Sequence, residues 1–112
     1  MRQVAEPFSK SADGLYVSPE EMGIIAGMLR KHVAGRRVWA FGSRATGRRL
    51  KRFSDLDLAL EGTLTWEERT ALEADFDESL LPFKVDVVEL EKVDPGFRER
   101  IEGDFVALHL GD

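Results

Sequence analysis

A short stretch that alternates leucine with aspartate or alanine most strongly constrains what this chain can fold into. Successive side chains of a β-strand point to opposite faces of the sheet. A strand over this stretch therefore places Leu56, Leu58 and Leu60 on one face and Asp55 and Asp57 on the other. The leucines can then pack against helices, while the two carboxylates face solvent or a ligand.

Capping signals and apolar periodicity predict the remaining elements. Ser18 and Glu21 form one capping box before an apolar helical stripe, and Thr65 and Glu68 form a second. The second helix is expected to carry Leu72, Phe76 and Leu80 as its apolar stripe. Further helical segments are predicted over 43–48 and 94–103, and strands over 37–41, 56–60, 83–90 and 105–110. The predicted order is α-β-α-β-α-β-α-β, with the first helix packed on one face of a sheet.

Length and composition limit the class of protein. A chain of 112 residues fits one compact domain, which we place at residues 15–112 after a loose arm at 1–14. The net charge of −5 argues against broad coating of DNA or RNA. The sequence has no cysteine, which excludes disulfides and thiolate metal sites. We see neither a signal peptide nor an apolar stretch of membrane-spanning length, and we expect a cytoplasmic protein.

Three aspartates indicate a chemistry. Asp86 interrupts a valine-rich strand, so it adds a third carboxylate to the pair formed by Asp55 and Asp57. Carboxylate oxygens are the ligands that Mg²⁺ prefers, usually one or two of them together with substrate phosphates. Two divalent ions can stabilise the attacking and leaving oxygens of a phosphoryl-type transfer. Asp86 could complete the second metal site or accept the proton of an acceptor hydroxyl.

A glycine turn lies upstream of these aspartates. Gly42 has no side chain, so a phosphate can approach its backbone closely. Ser43 offers a hydroxyl donor, and Arg44 can add charge and forked hydrogen bonds to phosphate oxygens. The basic residues over 48–52 either help to bind a small polyanion such as a triphosphate or form a solvated loop. Each feature alone has a purely structural explanation, but together they form a coherent nucleotide site.

Two motifs and a strand aspartate resemble the minimal nucleotidyltransferase (MNT) domain of the DNA polymerase beta-like superfamily. The resemblance covers about residues 20 to 110 and rests on Gly42-Ser43-Arg44-Ala45-Thr46-Gly47, Ser54-Asp55-Leu56-Asp57-Leu58 and Val85-Asp86-Val87-Val88. It implies an α+β fold with a small mixed β-sheet and helices packed on one face. It further implies that Asp55, Asp57 and Asp86 bind Mg²⁺, and that Gly42 and Ser43 hold the triphosphate of ATP.

The resemblance also implies a role. Small stand-alone members of this class are often antitoxins that transfer AMP from ATP to a hydroxyl of a HEPN-domain ribonuclease toxin. Two alternatives stay open: a non-catalytic antitoxin that covers its partner, and an enzyme that modifies a small molecule such as an antibiotic. Enzymes that modify antibiotics use an extra helical domain to bind the drug, and we see no such domain in these 112 residues. A homodimer could supply the missing surface.

Overall fold

The computed structural model describes residues 10–11 and 13–110. Four helices and four strands alternate along this part of the chain. Their bounds are α1 (Pro19–Val33), β1 (Val38–Phe41), α2 (Ser43–Thr46), β2 (Leu56–Leu60), α3 (Trp66–Glu78), β3 (Val85–Glu89), α4 (Pro95–Glu102) and β4 (Val106–Ala107). The predicted element order is confirmed.

Both predicted capping boxes are present. The Ser18 hydroxyl accepts from the Glu21 backbone N–H, and the Glu21 carboxylate accepts from the Ser18 N–H. Thr65 and Glu68 make the same reciprocal pair at the start of α3. These bonds satisfy backbone donors that a helix N-terminus leaves without intrahelical partners, so local sequence sets where both long helices begin.

The strands form one mixed sheet in the order β3-β2-β1-β4. Strand β1 pairs antiparallel with β2 and β4, whereas β2 and β3 run parallel. The parallel register places Asp57 directly opposite Asp86. The antiparallel register places Phe41, the last residue of β1, opposite Asp57. These two registers bring the glycine turn after β1 and the third aspartate to the same region of the sheet.

The two faces of the sheet bury separate apolar clusters. The leucines of β2 lie in the main core with buried residues of α1 and α3, which confirms the predicted orientation of that strand. On the opposite face, Ala59 packs with Phe41, Leu90 and Ile101. Ile101 belongs to α4, and the Phe97 ring of α4 meets the Phe41 ring edge to face at 6.2 Å. Helix α4 therefore covers part of the face that carries the aspartates, so the expectation of helices on one face does not hold for α4.

Two further details differ from the expectations, and a third lies largely outside the described residues. Strand β4 spans two residues rather than 105–110, because only Trp39 and Ala40 of β1 pair with it. Helix α3 ends at Glu78, so Leu80 lies beyond it and is 90% exposed rather than packed. The predicted arm at 1–14 lies largely outside the described residues, and its described end turns through Ser11 and Gly14 into the buried Leu15. No helix within 10–11 and 13–110 has the length and apolar character needed to cross a membrane.

Candidate active site

The three predicted carboxylates are brought to one region of the sheet. Asp57 lies in β2, Asp86 faces it from the neighbouring strand, and Asp55 lies one residue before β2 begins. Neighbouring parallel strands run about 4.8 Å apart, and residues in register point to the same face. Asp57 and Asp86 are thus neighbours on the face opposite the β2 leucines.

Electrostatics reflect this clustering. Partial burial, together with the nearby charges of Asp86 and Asp55, raises the pKa of Asp57 to about 6. A carboxyl that resists ionisation because other carboxylates stand beside it is a suitable ligand for a cation, which would relieve the repulsion. The donor set therefore fits a hard divalent ion such as Mg²⁺.

The side chains do not form a closed metal cage as they stand. Among residues 10–11 and 13–110, no group of three carboxylate or histidine side chains is positioned to hold a metal ion. Asp86 instead has an ion pair, with its Oδ1 3.9 Å from the Lys84 Nζ. Binding of a cation between Asp57 and Asp86 would require the exposed Lys84 side chain to turn away or to contact the ligand's phosphates.

Gly42 is required by its surroundings. Its backbone has φ of 78° and ψ of −158°, a region open almost only to glycine. A Cβ at this position would lie 2.6 Å from the Asp57 Oδ2. The glycine turn and the Asp57 carboxylate are therefore in direct contact.

The short helix α2 follows this turn. The amides of Ala45 and Thr46 donate to the Gly42 carbonyl, so the first bonded amide of the turn is that of Ala45. Ser43 precedes these bonds and is partly exposed. Its hydroxyl and the start of the turn can therefore face an anion beside Asp57.

Arg44 does not lie where a phosphate ligand must lie. Its side chain is 1% exposed, and its guanidinium donates to the carbonyls of Ser54, Tyr16 and Arg52 at 2.8, 2.7 and 3.0 Å. The guanidinium also stacks on the Phe83 ring, 3.9 Å from its centroid. The prediction that Arg44 binds the nucleotide directly is corrected: its donors are used to hold the loop that leads to Asp55.

Lys84 is a site residue that the sequence motifs did not include. It lies two residues before Asp86, so period two along an extended chain places it on the same face of the sheet. That spacing was the signal that could have identified it. Lys84 is an exposed cation beside the third carboxylate, where it could contact an anionic ligand.

A groove of about 580 Å³ lies elsewhere on the molecule. It is bounded by residues around β1 and β4, including Arg37, Trp39 and His109. None of the three aspartates lines it. The candidate site therefore rests on the chemistry and register of the carboxylates, and this groove is no part of it.

Comparisons with known proteins agree with this chemistry. The family model described as polymerase beta, nucleotidyltransferase matches residues 24–109. The probable protein adenylyltransferase MntA of Haemophilus influenzae is 38% identical over 96 residues, which cover 84% of this chain and 83% of that protein.

Solved structures agree on the fold. A toxin–antitoxin crystal structure with AMP-PNP matches with a TM-score of 0.63 and 23% identity, covering 79% of this chain and 72% of that chain. A mutant toxin–antitoxin structure, MntA–HpeT, matches with a TM-score of 0.62 and 21% identity over 79% and 71% of the two chains. At these identities the two structures establish the shared fold.

Proposed function

Because the chain belongs to the polymerase beta nucleotidyltransferase family and is a nucleotidyltransferase, we propose that it transfers AMP from ATP to a hydroxyl group of a partner protein. The observation that carries the proposal is the register that sets Asp57 opposite Asp86 and against Gly42. The relative named as a protein adenylyltransferase supports a protein as the acceptor. The partner we propose is a HEPN-type ribonuclease toxin, and the chain is then its antitoxin, acting in the cytoplasm.

The site residues divide the work. Asp55, Asp57 and Asp86 would hold Mg²⁺, which we propose binds as two ions, and the metal would neutralise the phosphates of ATP. Gly42 lets the triphosphate approach the backbone, and Ser43 donates to it. Arg44 acts indirectly, because it donates to the carbonyls of Arg52 and Ser54 and thus positions Asp55.

The reaction is an in-line displacement. The acceptor hydroxyl oxygen attacks the α-phosphorus of ATP, the bond from that phosphorus to the bridging oxygen breaks, and pyrophosphate leaves. Asp86 could accept the hydroxyl proton. Most of the catalysis then comes from positioning and charge neutralisation.

The decisive test is the double substitution Asp55→Asn with Asp57→Asn. We expect it to abolish transfer of label from α-labelled ATP to the co-expressed toxin, measured by autoradiography and by an added AMP mass on the toxin. Asp77→Asn is a matched control, because it removes one exposed aspartate from α3 and should leave transfer unchanged.

The outcomes separate the alternatives. Undiminished transfer by the double variant would refute the assignment of the aspartates. If the double variant transfers nothing yet still protects cells fully against the toxin, inhibition by simple covering is sufficient.

A further inference from the structure

A tight turn over residues 51–54 lies just before the carboxylates. The Ser54 amide donates to the Lys51 carbonyl at 3.1 Å, and the Lys51 amide donates to the Ser54 hydroxyl at 2.8 Å. The turn is therefore closed from both sides. Asp55 is the next residue along the chain, so the turn borders the reaction site.

The buried Arg44 guanidinium holds this turn from inside the protein. It bonds the carbonyls of Arg52 and Ser54, which flank Phe53, and it stacks on the Phe83 ring. A turn held by these two hydrogen bonds loses little further conformational entropy when a ligand binds. The buried Arg44 side chain therefore stabilises the conformation of an exposed turn.

Phe53 projects from this rigid turn into solvent. Its side chain is 64% exposed, whereas the other phenylalanines in the described residues are buried or half-buried. Exposed aromatic side chains on a preorganised backbone are typical anchors of protein interfaces. No internal packing role accounts for Phe53, since its neighbours in the turn, Arg52 and Lys51, are exposed as well.

The charge around Phe53 is opposite to that of the rest of the molecule. Arg48, Arg49, Lys51 and Arg52 all precede it within five residues, and residues 48–53 contain no acid, while the whole chain has a net charge of −5. Arg48 is the one of these that forms an ion pair within the described residues, with Asp104 at 2.8 Å. A local basic surface on an acidic protein favours association with an acidic partner surface.

We propose that the turn 51–54 is the docking site for the acceptor protein, and that it binds an acidic segment with an apolar side chain next to the hydroxyl that receives AMP. This inference rests on the proposed function and adds the place and chemistry of acceptor recognition. Phe53 supplies apolar contact area, and Arg52, Lys51 and Arg49 complement the acidic residues. Arg44 is a positioning residue that keeps the docking turn in register with Asp55.

A protein acceptor fits the turn better than two rival ligands. A single-stranded RNA would call for a basic binding surface of several nucleotides, and the acidic remainder of the chain opposes it. ATP could stack its base on the Phe53 ring and place its triphosphate beside the basic residues, and Phe53→Ser and Arg52→Glu would then weaken MgATP binding. Both rivals are outcomes of the test below.

The test compares Phe53→Ser and Arg52→Glu with Trp66→Ser. Trp66 is a matched control, because it is also an exposed aromatic, 75% exposed, but lies in the first turn of α3, after the opposite end of β2. Three quantities are measured for each full-length variant: the Kd for MgATP, the Kd for the HEPN-domain toxin without ATP, and the KM and kcat of transfer to that toxin.

We expect Phe53→Ser and Arg52→Glu to raise the toxin Kd and KM by about 10-fold or more, with kcat and the MgATP Kd within about twofold of wild type. The effect of Arg52→Glu should shrink as salt rises, because it acts through charge. Trp66→Ser should leave all three quantities unchanged. Thermal unfolding should be unaltered in all three variants, since each removed side chain is exposed.

Four results would overturn the docking site. They are an unchanged toxin Kd in Phe53→Ser, an equal loss in Trp66→Ser, a loss confined to MgATP affinity, and a loss confined to binding of a single-stranded RNA oligonucleotide. Failure of the proposed function looks different: wild type would bind the toxin through Phe53 and yet add no AMP. A wild-type protein that does not bind the toxin at all would overturn both.

Discussion

At the scale of single residues, Gly42 sets the turn after β1 directly against the Asp57 carboxylate. The Gly42→Ala substitution would force a side chain into a glycine-only backbone region and place its Cβ 2.6 Å from the Asp57 Oδ2. We expect a loss of about 1–3 kcal/mol of unfolding free energy and a loss of AMP transfer of about 100-fold or more, because Asp57 must shift. Urea unfolding and transfer assays measure both effects.

Gly23 provides the control for that prediction. It lies on α1, and a Cβ there would meet nothing within 4 Å. Gly23→Ala should stabilise the protein by about 0.5–1 kcal/mol, since alanine favours the helix, and should leave transfer intact. Equal activity of the two alanine variants would contradict the required contact between Gly42 and Asp57.

The Asp57 carboxyl makes stability depend on pH. Its pKa is raised from 3.8 to about 6, first by burial and then by Asp86 and Asp55. The folded protein then binds this proton more tightly than the unfolded chain. The contribution of Asp57 to stability is therefore fully present below pH 4 and is lost as pH rises through about 6. In metal-free buffer at pH 7, Asp57→Asn should be more stable than wild type by about 1–3 kcal/mol, and the gain should vanish at pH 4.

Urea unfolding in EDTA at the two pH values tests this effect. Parallel pH profiles for wild type and Asp57→Asn would show that the carboxylates do not repel one another in the folded state. Added Mg²⁺ should stabilise wild type at pH 7 more than it stabilises the variant, because the cation relieves that repulsion.

At the scale of elements, an ion pair joins α3 to the end of β3. Glu89 is buried and accepts from Arg69 at 2.7 Å, from the Leu64 amide at 3.0 Å and from Lys92 at 3.2 Å. Burial alone would raise the pKa of Glu89, but these donors outweigh it and lower the pKa to about 2. Arg69 thus reaches from α3 across to the sheet.

The Glu89→Gln substitution should destabilise the protein by about 1–3 kcal/mol at pH 7, because Arg69 and Lys92 lose their charged acceptor. The depressed pKa means that this contribution is present above pH 4.5 and is lost as pH falls towards about 2. Chemical unfolding at pH 7 and pH 2.5 should show the two proteins converging in acid. Glu73→Gln, which removes an exposed partner of the same arginine, should change stability by less than about 0.5 kcal/mol; an equal loss would mean that burial of Glu89 adds nothing.

At the scale of the whole molecule, we expect the binding of MgATP to contribute a large part of stability. A chain of 112 residues forms a small core, and ionisation of the partly buried Asp57 opposes folding. A cation that binds this carboxylate should therefore stabilise the fold. MgATP at 100 times its Kd should add about 2.7 kcal/mol, which raises Tm by about 10 °C for a domain of this size.

Thermal unfolding with and without MgATP measures this shift. The variant with Asp55→Asn and Asp57→Asn should show none, whereas ATP with EDTA should give a much smaller shift in wild type. A shift of equal size in the double variant would place the nucleotide away from the carboxylates.

Local sequence was sufficient for the elements and for the orientation of the central strand. Capping boxes act over three residues and strand alternation over two, so Ser18, Thr65 and the leucines of β2 could be interpreted without knowledge of the rest of the chain. The same local signals identified the glycine turn and the aspartate pair. Leu80 shows the limit, because helical spacing continued past Glu78 while the helix itself ended.

Only the tertiary structure decided which of these residues meet. The parallel register of β2 and β3 sets Asp57 opposite Asp86, the fold buries Arg44 beneath the 51–54 turn, and α4 covers part of the aspartate face. The sequence shows the charge of Arg44, which favours a phosphate ligand, but it does not show the three backbone carbonyls that its guanidinium bonds in the fold. Helix starts and strand faces depend on near neighbours in the chain, so the sequence alone determined them. Strand register and burial depend on contacts between residues far apart in the chain, so only the fold decided them.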